Sequence, residues 1–146
     1  MIGARGLALL RRFEALRYHA YDDGTGIFTI GYGHTTGVKP TDICTQPQAE
    51  QWLMQDADNA EQSMLALLQF IELSPAQRDA LTCFVFNLGA GSFEQSELRA
   101  YVKAADHFSA ARSFAGWTRA GGKRMRGLLR RRLAEALLYC EDPWPT

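Results

Sequence analysis

Between positions 14 and 34 the chain reads Glu-Ala-Leu-Arg-Tyr-His-Ala-Tyr-Asp-Asp-Gly-Thr-Gly-Ile-Phe-Thr-Ile-Gly-Tyr-Gly-His. Glu14 ends an amphipathic segment, Asp22 and Asp23 open a glycine-rich turn, and Thr29 stands in the strand-like run that closes on His34. Two carboxylates and a hydroxyl on one short scaffold are the groups that split a glycosidic bond. One acid protonates the leaving oxygen and the other carboxylate directs a water. Taken singly, Asp and Thr in turns usually serve local hydrogen bonding.

These groups need elements to hold them. Leu9, Phe13 and Leu16 share a face at helical spacing, with Leu7 and Leu10 beside them, so residues 4–16 read as a short amphipathic helix. Glu14 falls at the edge of that stripe, where partial desolvation favours the protonated carboxyl. Asp22-Asp23-Gly24-Thr25-Gly26 is a turn signal, and Ile27-Phe28-Thr29-Ile30 reads as a strand. A small antiparallel sheet of two or three strands follows, one that must lean on helices to be stable. Everything later reads helical. Thr45 with Gln48, and Ser74-Pro75-Ala76-Gln77, carry capping-box signatures for helices running to about 68 and 88. Shorter helices are expected at about 95–103 and 106–116. Gly121-Gly122 makes a break, a last helix covers about 127–140, and Pro143 and Pro145 end the chain.

At 146 residues, 47% apolar and 22% charged, the chain is of ordinary globular composition and long enough to bury a core without metal or disulfide staples. The formal net charge of zero conceals a basic zone: residues 112–132 hold eight Lys and Arg and no acid. Such a zone attracts anionic polymers, although a solvated helix face is the plainer reading. Cys44, Cys83 and Cys140 are odd in number and widely spaced, which suits free thiols better than a disulfide framework. Arg5 and the Arg11-Arg12 pair break the N-terminal apolar run short of a signal-peptide core, and that run is too short to span a bilayer. No signal peptide and no stable membrane insertion are therefore expected.

The spacing of the chemical residues resembles that of the phage-type lysozymes, the endolysin muramidases of glycoside hydrolase family 24. Glu14 and Asp23 stand nine apart, Asp23 and Thr29 six apart, and Tyr21, Gly31, Gly33 and His34 fall at the family's positions. That register selects Asp23 over Asp22. Phe84-Val85-Phe86-Asn87-Leu88-Gly89 resembles the end of the family's central helix. Trp117 through Lys123, with Gly127-Leu128 and Arg131-Arg132-Leu133-Ala134-Glu135, resembles its C-terminal block. The resemblance implies an α+β lysozyme-like fold in one domain, residues 1–146. A small N-terminal lobe carries the sheet, roughly residues 13–60. A helical lobe, roughly 1–12 plus 61–146, is joined to it by the long helix, with the glycan in the cleft between.

It further implies cleavage of the β-1,4 bond between N-acetylmuramic acid and N-acetylglucosamine during lysis of a host by a phage or prophage. Glu14 would be the general acid, and Asp23 with Thr29 would hold the attacking water, an arrangement that favours inversion. His34, Tyr32, Asn87 and Trp117 are candidate substrate contacts. For His34 a structural bond to a neighbouring carboxylate, and for Trp117 a core position, compete with that role; for Asn87 the alternative is a buried structural amide. One of Arg124, Arg130 and Arg131 would pair with Glu14. Peptidoglycan strands are the expected partner of a monomer, with no cofactor, metal or nucleic acid. The expected location is the host cytoplasm before release onto the periplasmic wall, with dependence on a holin-type membrane protein. A wall-binding module without catalysis, a nucleic-acid binder using residues 112–132 and a lytic transglycosylase are the rival readings.

Overall fold

The computed structural model describes residues 1–143; Pro145, expected to end the chain, lies outside them. Helix α1 spans Ala4–Phe13 and leads into a hairpin of β1 (Arg17–Asp22) and β2 (Phe28–Gly31). The long α2 (Gln46–Leu68) and α3 (Pro75–Leu88) follow. Then come α4 (Ala90–Glu94), α5 (Glu97–Lys103), α6 (His107–Ser113) and a 3₁₀ turn at Phe114–Gly116. A second hairpin, β3 (Arg119–Ala120) and β4 (Lys123–Arg124), precedes α7 (Arg126–Tyr139). The fold is the expected α+β arrangement.

Two details differ from the sequence reading. The first helix stops at Phe13, so Glu14 is its C-cap in extended conformation, its N–H still bonded to Leu10 O at 2.9 Å. The Gly121-Gly122 break is the turn of a real hairpin, with Arg119 opposite Arg124 and Ala120 opposite Lys123. Both glycines take positive φ, +57° and +78°, the pair a two-residue type I′ turn demands.

Both capping boxes form. Thr45 and Ser74 each accept from the third helical N–H while Gln48 and Gln77 reach back to the cap N–H. The first helix is capped from a distance. Gly3 has no side chain to offer, and buried Asp79 of α3 instead accepts from Gly3 N at 2.7 Å and Gly6 N at 2.9 Å. This carboxylate satisfies two orphan donors of α1 and locks it onto α3. Asp79→Ala is expected to cost about 3 kcal/mol, the scale of two hydrogen bonds to a charged group. Chemical denaturation measures it.

Two packed cores flank the long helices. Phe84 centres the larger, with Phe93, Phe114 and Trp117 edge-on at ring separations of 6.1, 5.7 and 5.6 Å. The smaller joins Leu10, Ile30, Tyr32, Leu53 and Ala57 and seats the first hairpin against α1 and α2. The close fit there needs Gly31: a Cβ on it would lie 3.2 Å from Ala49 Cβ, and its φ is +65°. His19 adds a bridge to Ile43, giving the hairpin the beginnings of a third strand.

Candidate active site

The first hairpin brings Asp23 and Thr29 together. Its register sets Tyr21 opposite Thr29 and Asp22 opposite Phe28, and Asp23 N closes the loop on Ile27 O at 3.1 Å. Asp23 thus lies just past the end of β1, bonded to a residue two positions before the buried Thr29. Asp22 is spent locally: its Oδ1 accepts from Gly24 N and Gly26 N at 2.8 and 3.0 Å and so shapes the loop. Asp23 is held by Thr25, whose hydroxyl and amide bond its Oδ1 at 2.6 and 2.8 Å. The hydroxyl first and then the amide hold the Asp23 carboxyl below the usual carboxylate range, so it is ionised at neutral pH although fully exposed. Thr25 was not singled out from sequence, although an Asp followed two residues later by Thr is a recognisable turn pairing.

Glu14 sits where α1 ends. Its Oε1 accepts from Arg131 Nη1 at 2.6 Å across 117 residues of chain, with 20% of the Glu14 side chain and 5% of the Arg131 side chain exposed. Arg131 is therefore the partner among the three candidates. Arg124 lies in β4 and Arg130 on α7, both exposed. Gly33 passes under the same carboxylate: a Cβ there would stand 3.6 Å from Glu14 Oε2, and its φ of +98° suits glycine. The Gly-x-Gly spacing thus has two uses, Gly31 against α2 and Gly33 beside the acid.

A cleft of about 310 Å³ opens next to Gly33, bounded by Thr35, by Asp56 and Asn59 of α2, and by Phe86 and Gly89 at the end of α3. It lies between the sheet side and the helical side. Glu14, Asp23 and Thr29 do not line it; Gly33 is the point at which it meets the Glu14 carboxylate.

The remaining candidates divide. His34 is buried and stacked on Trp52 with ring centroids 4.8 Å apart. Its Nδ1 lies 2.8 Å from Asp56 Oδ2 and its Nε2 3.1 Å from Thr36 O. Both ring nitrogens are engaged within the protein, and the bond to Asp56 is the structural contact to a neighbouring carboxylate that competes with a sugar-binding role. His34 braces the cleft wall that carries Asp56. Tyr32 is buried in the smaller core, and its hydroxyl donates to Glu50, which Arg11 grips with two nitrogens. Asn87 is exposed, which removes the buried-amide alternative. Its Oδ1 accepts from Arg132 Nη2, which leaves the amide nitrogen as its free donor branch. Trp117 packs edge-on against Phe84 and stays partly exposed.

Behind Glu14 lies a group of buried charges. Arg131 Nε donates to Glu135 Oε1 at 3.2 Å, and Arg132 Nη1 stands 3.3 Å from Glu135 Oε2, an ion pair without hydrogen-bond alignment. Arg132 and Glu135 are fully buried, and the Arg132 guanidinium covers the Phe84 ring at 5.2 Å. Among the described residues no group of three or more His, Cys, Asp or Glu is placed to hold a metal ion, and no helix is long and apolar enough to cross a membrane. Cys44, Cys83 and Cys140 are free thiols, the first two buried.

The phage lysozyme family model matches residues 11–135. An endolysin of Acyrthosiphon pisum secondary endosymbiont phage 1 is 38% identical over 143 residues, covering 94% of this chain and 97% of the endolysin. Among solved structures, the muramidase domain of SpmX from Asticaccaulis excentricus superposes with a TM-score of 0.90 at 30% identity, covering 97% of this chain and 99% of that domain. An endolysin from Escherichia coli O157:H7 phage FAHEc1 superposes at 0.84 with 28% identity, covering 100% and 97%.

Proposed function

We propose that this chain, which belongs to the phage lysozyme family and is a hydrolase of peptidoglycan, cleaves the β-1,4 bond between N-acetylmuramic acid and N-acetylglucosamine with inversion. The observation that carries the reading is that the two carboxyls, nine residues apart in sequence, stand in different environments. Glu14 is largely enclosed, beside the buried Arg131 guanidinium and the Gly33 backbone. Asp23 is open to water and kept ionised by Thr25. Environments that differ in this way assign acid and base roles to a carboxyl pair.

In the proposed reaction the glycan enters along the cleft beside Gly33. Glu14 protonates the glycosidic oxygen as the bond to the anomeric carbon breaks. Asp23 accepts a proton from a water that attacks the opposite face, and the Thr29 hydroxyl orients that water. The oxocarbenium-like transition state develops positive charge, which the ionised Asp23 stabilises. Asn87 offers its amide nitrogen to the sugar from the α3 side.

Products formed from purified peptidoglycan test the bond and the stereochemistry together. Borohydride-reducible ends on N-acetylmuramic acid are expected, with the α anomer released first when followed by proton NMR. N-acetylglucosamine ends would overturn the bond assignment and β anomer the inversion. Anhydro-muramic products would replace hydrolysis by transglycosylation.

A further inference from the structure

Glu135 has no part in the chemistry just described, yet it is wholly buried and shares Arg131 with Glu14. The guanidinium is divided between them: Nη1 goes to Glu14 at 2.6 Å and Nε to Glu135 at 3.2 Å, while Nη2 is buried without a hydrogen-bond partner. The i, i+4 spacing on α7 fixes the second contact, and the end of α1 presents the first. Arg132 faces the other oxygen of Glu135 and is itself anchored on Asn87. Hydrophobic isosteres usually replace such a buried charge group at no loss of stability, so its presence behind a candidate acid calls for another explanation.

We propose that Glu135 is a positioning residue for the Glu14 carboxyl, acting through Arg131. This rests on the reading of Glu14 as the general acid. A general acid must hold a proton at the working pH, and an arginine devoted to it alone would favour its ionised form. By competing for the same guanidinium, Glu135 limits the charge that Glu14 experiences and fixes the plane in which Arg131 presents Nη1. Among the described residues, the groups facing Glu135 are Arg131 and Arg132 on α7, Glu14 from the end of α1, and Cys83 on α3, beyond which lies Asp79. Burial holds the Cys83 thiol well above its ordinary range, so it stays neutral. Burial likewise pushes the Glu135 carboxyl up to about 7, against the opposing pull of Arg132 and Arg131, with Glu14 adding to the rise. Glu135 therefore charges across the neutral range, and its influence on Glu14 grows as pH rises through it.

Glu135→Gln keeps the shape and the acceptor for Arg131 Nε while removing the charge. Its pH profile of kcat/KM is expected to match the parent protein below about pH 6, where the parent's Glu135 carboxyl is neutral like the amide that replaces it, and to diverge above it. The basic limb should move to lower pH by on the order of one unit, with KM at pH 6 unchanged. A merely structural Glu135 would lower activity uniformly without moving the limb, and superimposed profiles from folded protein would overturn the proposal. Should Glu135→Gln fail to fold, carboxyl ¹³C NMR of the parent protein and of Glu14→Gln decides the matter. Loss of the Glu14 charge should move the Glu135 titration step to lower pH; an unmoved step overturns the proposal. Full hydrolysis by Glu14→Gln would instead defeat the general-acid reading, and the NMR coupling separates the two failures.

Discussion

Replacing Glu14 by Gln is expected to lower kcat on purified peptidoglycan by about 10²- to 10⁴-fold, the usual contribution of a positioned general acid. Gln preserves the shape of the side chain and an acceptor for Arg131 Nη1, and Arg131 retains Glu135 as a charged partner. The fold should therefore survive, with stability changed by no more than about 1 kcal/mol. Clearing of chloroform-treated Gram-negative cells by the parent protein and not by the folded variant is the matching result. It separates an enzyme from a wall-binding module, which would bind equally well in either form. Clearing by both would show that the proton comes from elsewhere.

Arg131→Met should have the largest effect on stability. Removing one partner of a buried ion pair costs about 3–5 kcal/mol because the other charge is left uncompensated. Here the stranded group is Glu135, fully buried and already raised to about 7. Losing one of its two cations raises it further. A carboxyl held higher in the folded than in the unfolded chain binds more protons when folded, so its contribution to stability is present at low pH and lost as pH rises through the folded value. The deficit of Arg131→Met is accordingly expected to be largest near pH 8 and to shrink toward pH 5. Urea denaturation at the two pH values measures it, and a pH-independent deficit would show that the loss is one of packing alone.

Much of the site was legible because its parts are close in sequence. A single hairpin from Arg17 to Gly31 carries both Asp23 and Thr29, and Glu14 lies at the end of the helix just before it, so spacing read with the family resemblance could single them out. Capping residues at Thr45 and Ser74 fixed the starts of α2 and α3 through bonds spanning three residues. What sequence could not supply was the partner of Glu14, 117 residues distant. The basic run offered several arginines of equal charge, and only burial distinguishes them: Arg119, Lys123, Arg124, Arg126 and Arg130 face solvent while Arg131 and Arg132 point inward. One signal was available, the Glu135 four residues after Arg131, a spacing that marks a helical ion pair. The second hairpin escaped for a different reason. Strands of two residues carry no periodicity, although Gly-Gly between them is a turn signature. For His34 the sequence left a sugar contact and a structural bond to a carboxylate open, and only the fold shows that carboxylate to be Asp56 of α2; for Tyr32 it shows the bond to Glu50.

The assignment of the site is tested most directly by a crystal structure of Glu14→Gln with a bound peptidoglycan fragment spanning the scissile bond. The glycan should run past Gly33 into the cleft edged by Asp56 and Phe86, with the glycosidic oxygen within hydrogen-bond distance of side chain 14 and the anomeric carbon facing Asp23 and Thr29. A glycan bound elsewhere, along the β3–β4 face or with its glycosidic oxygen remote from residue 14, would contradict it.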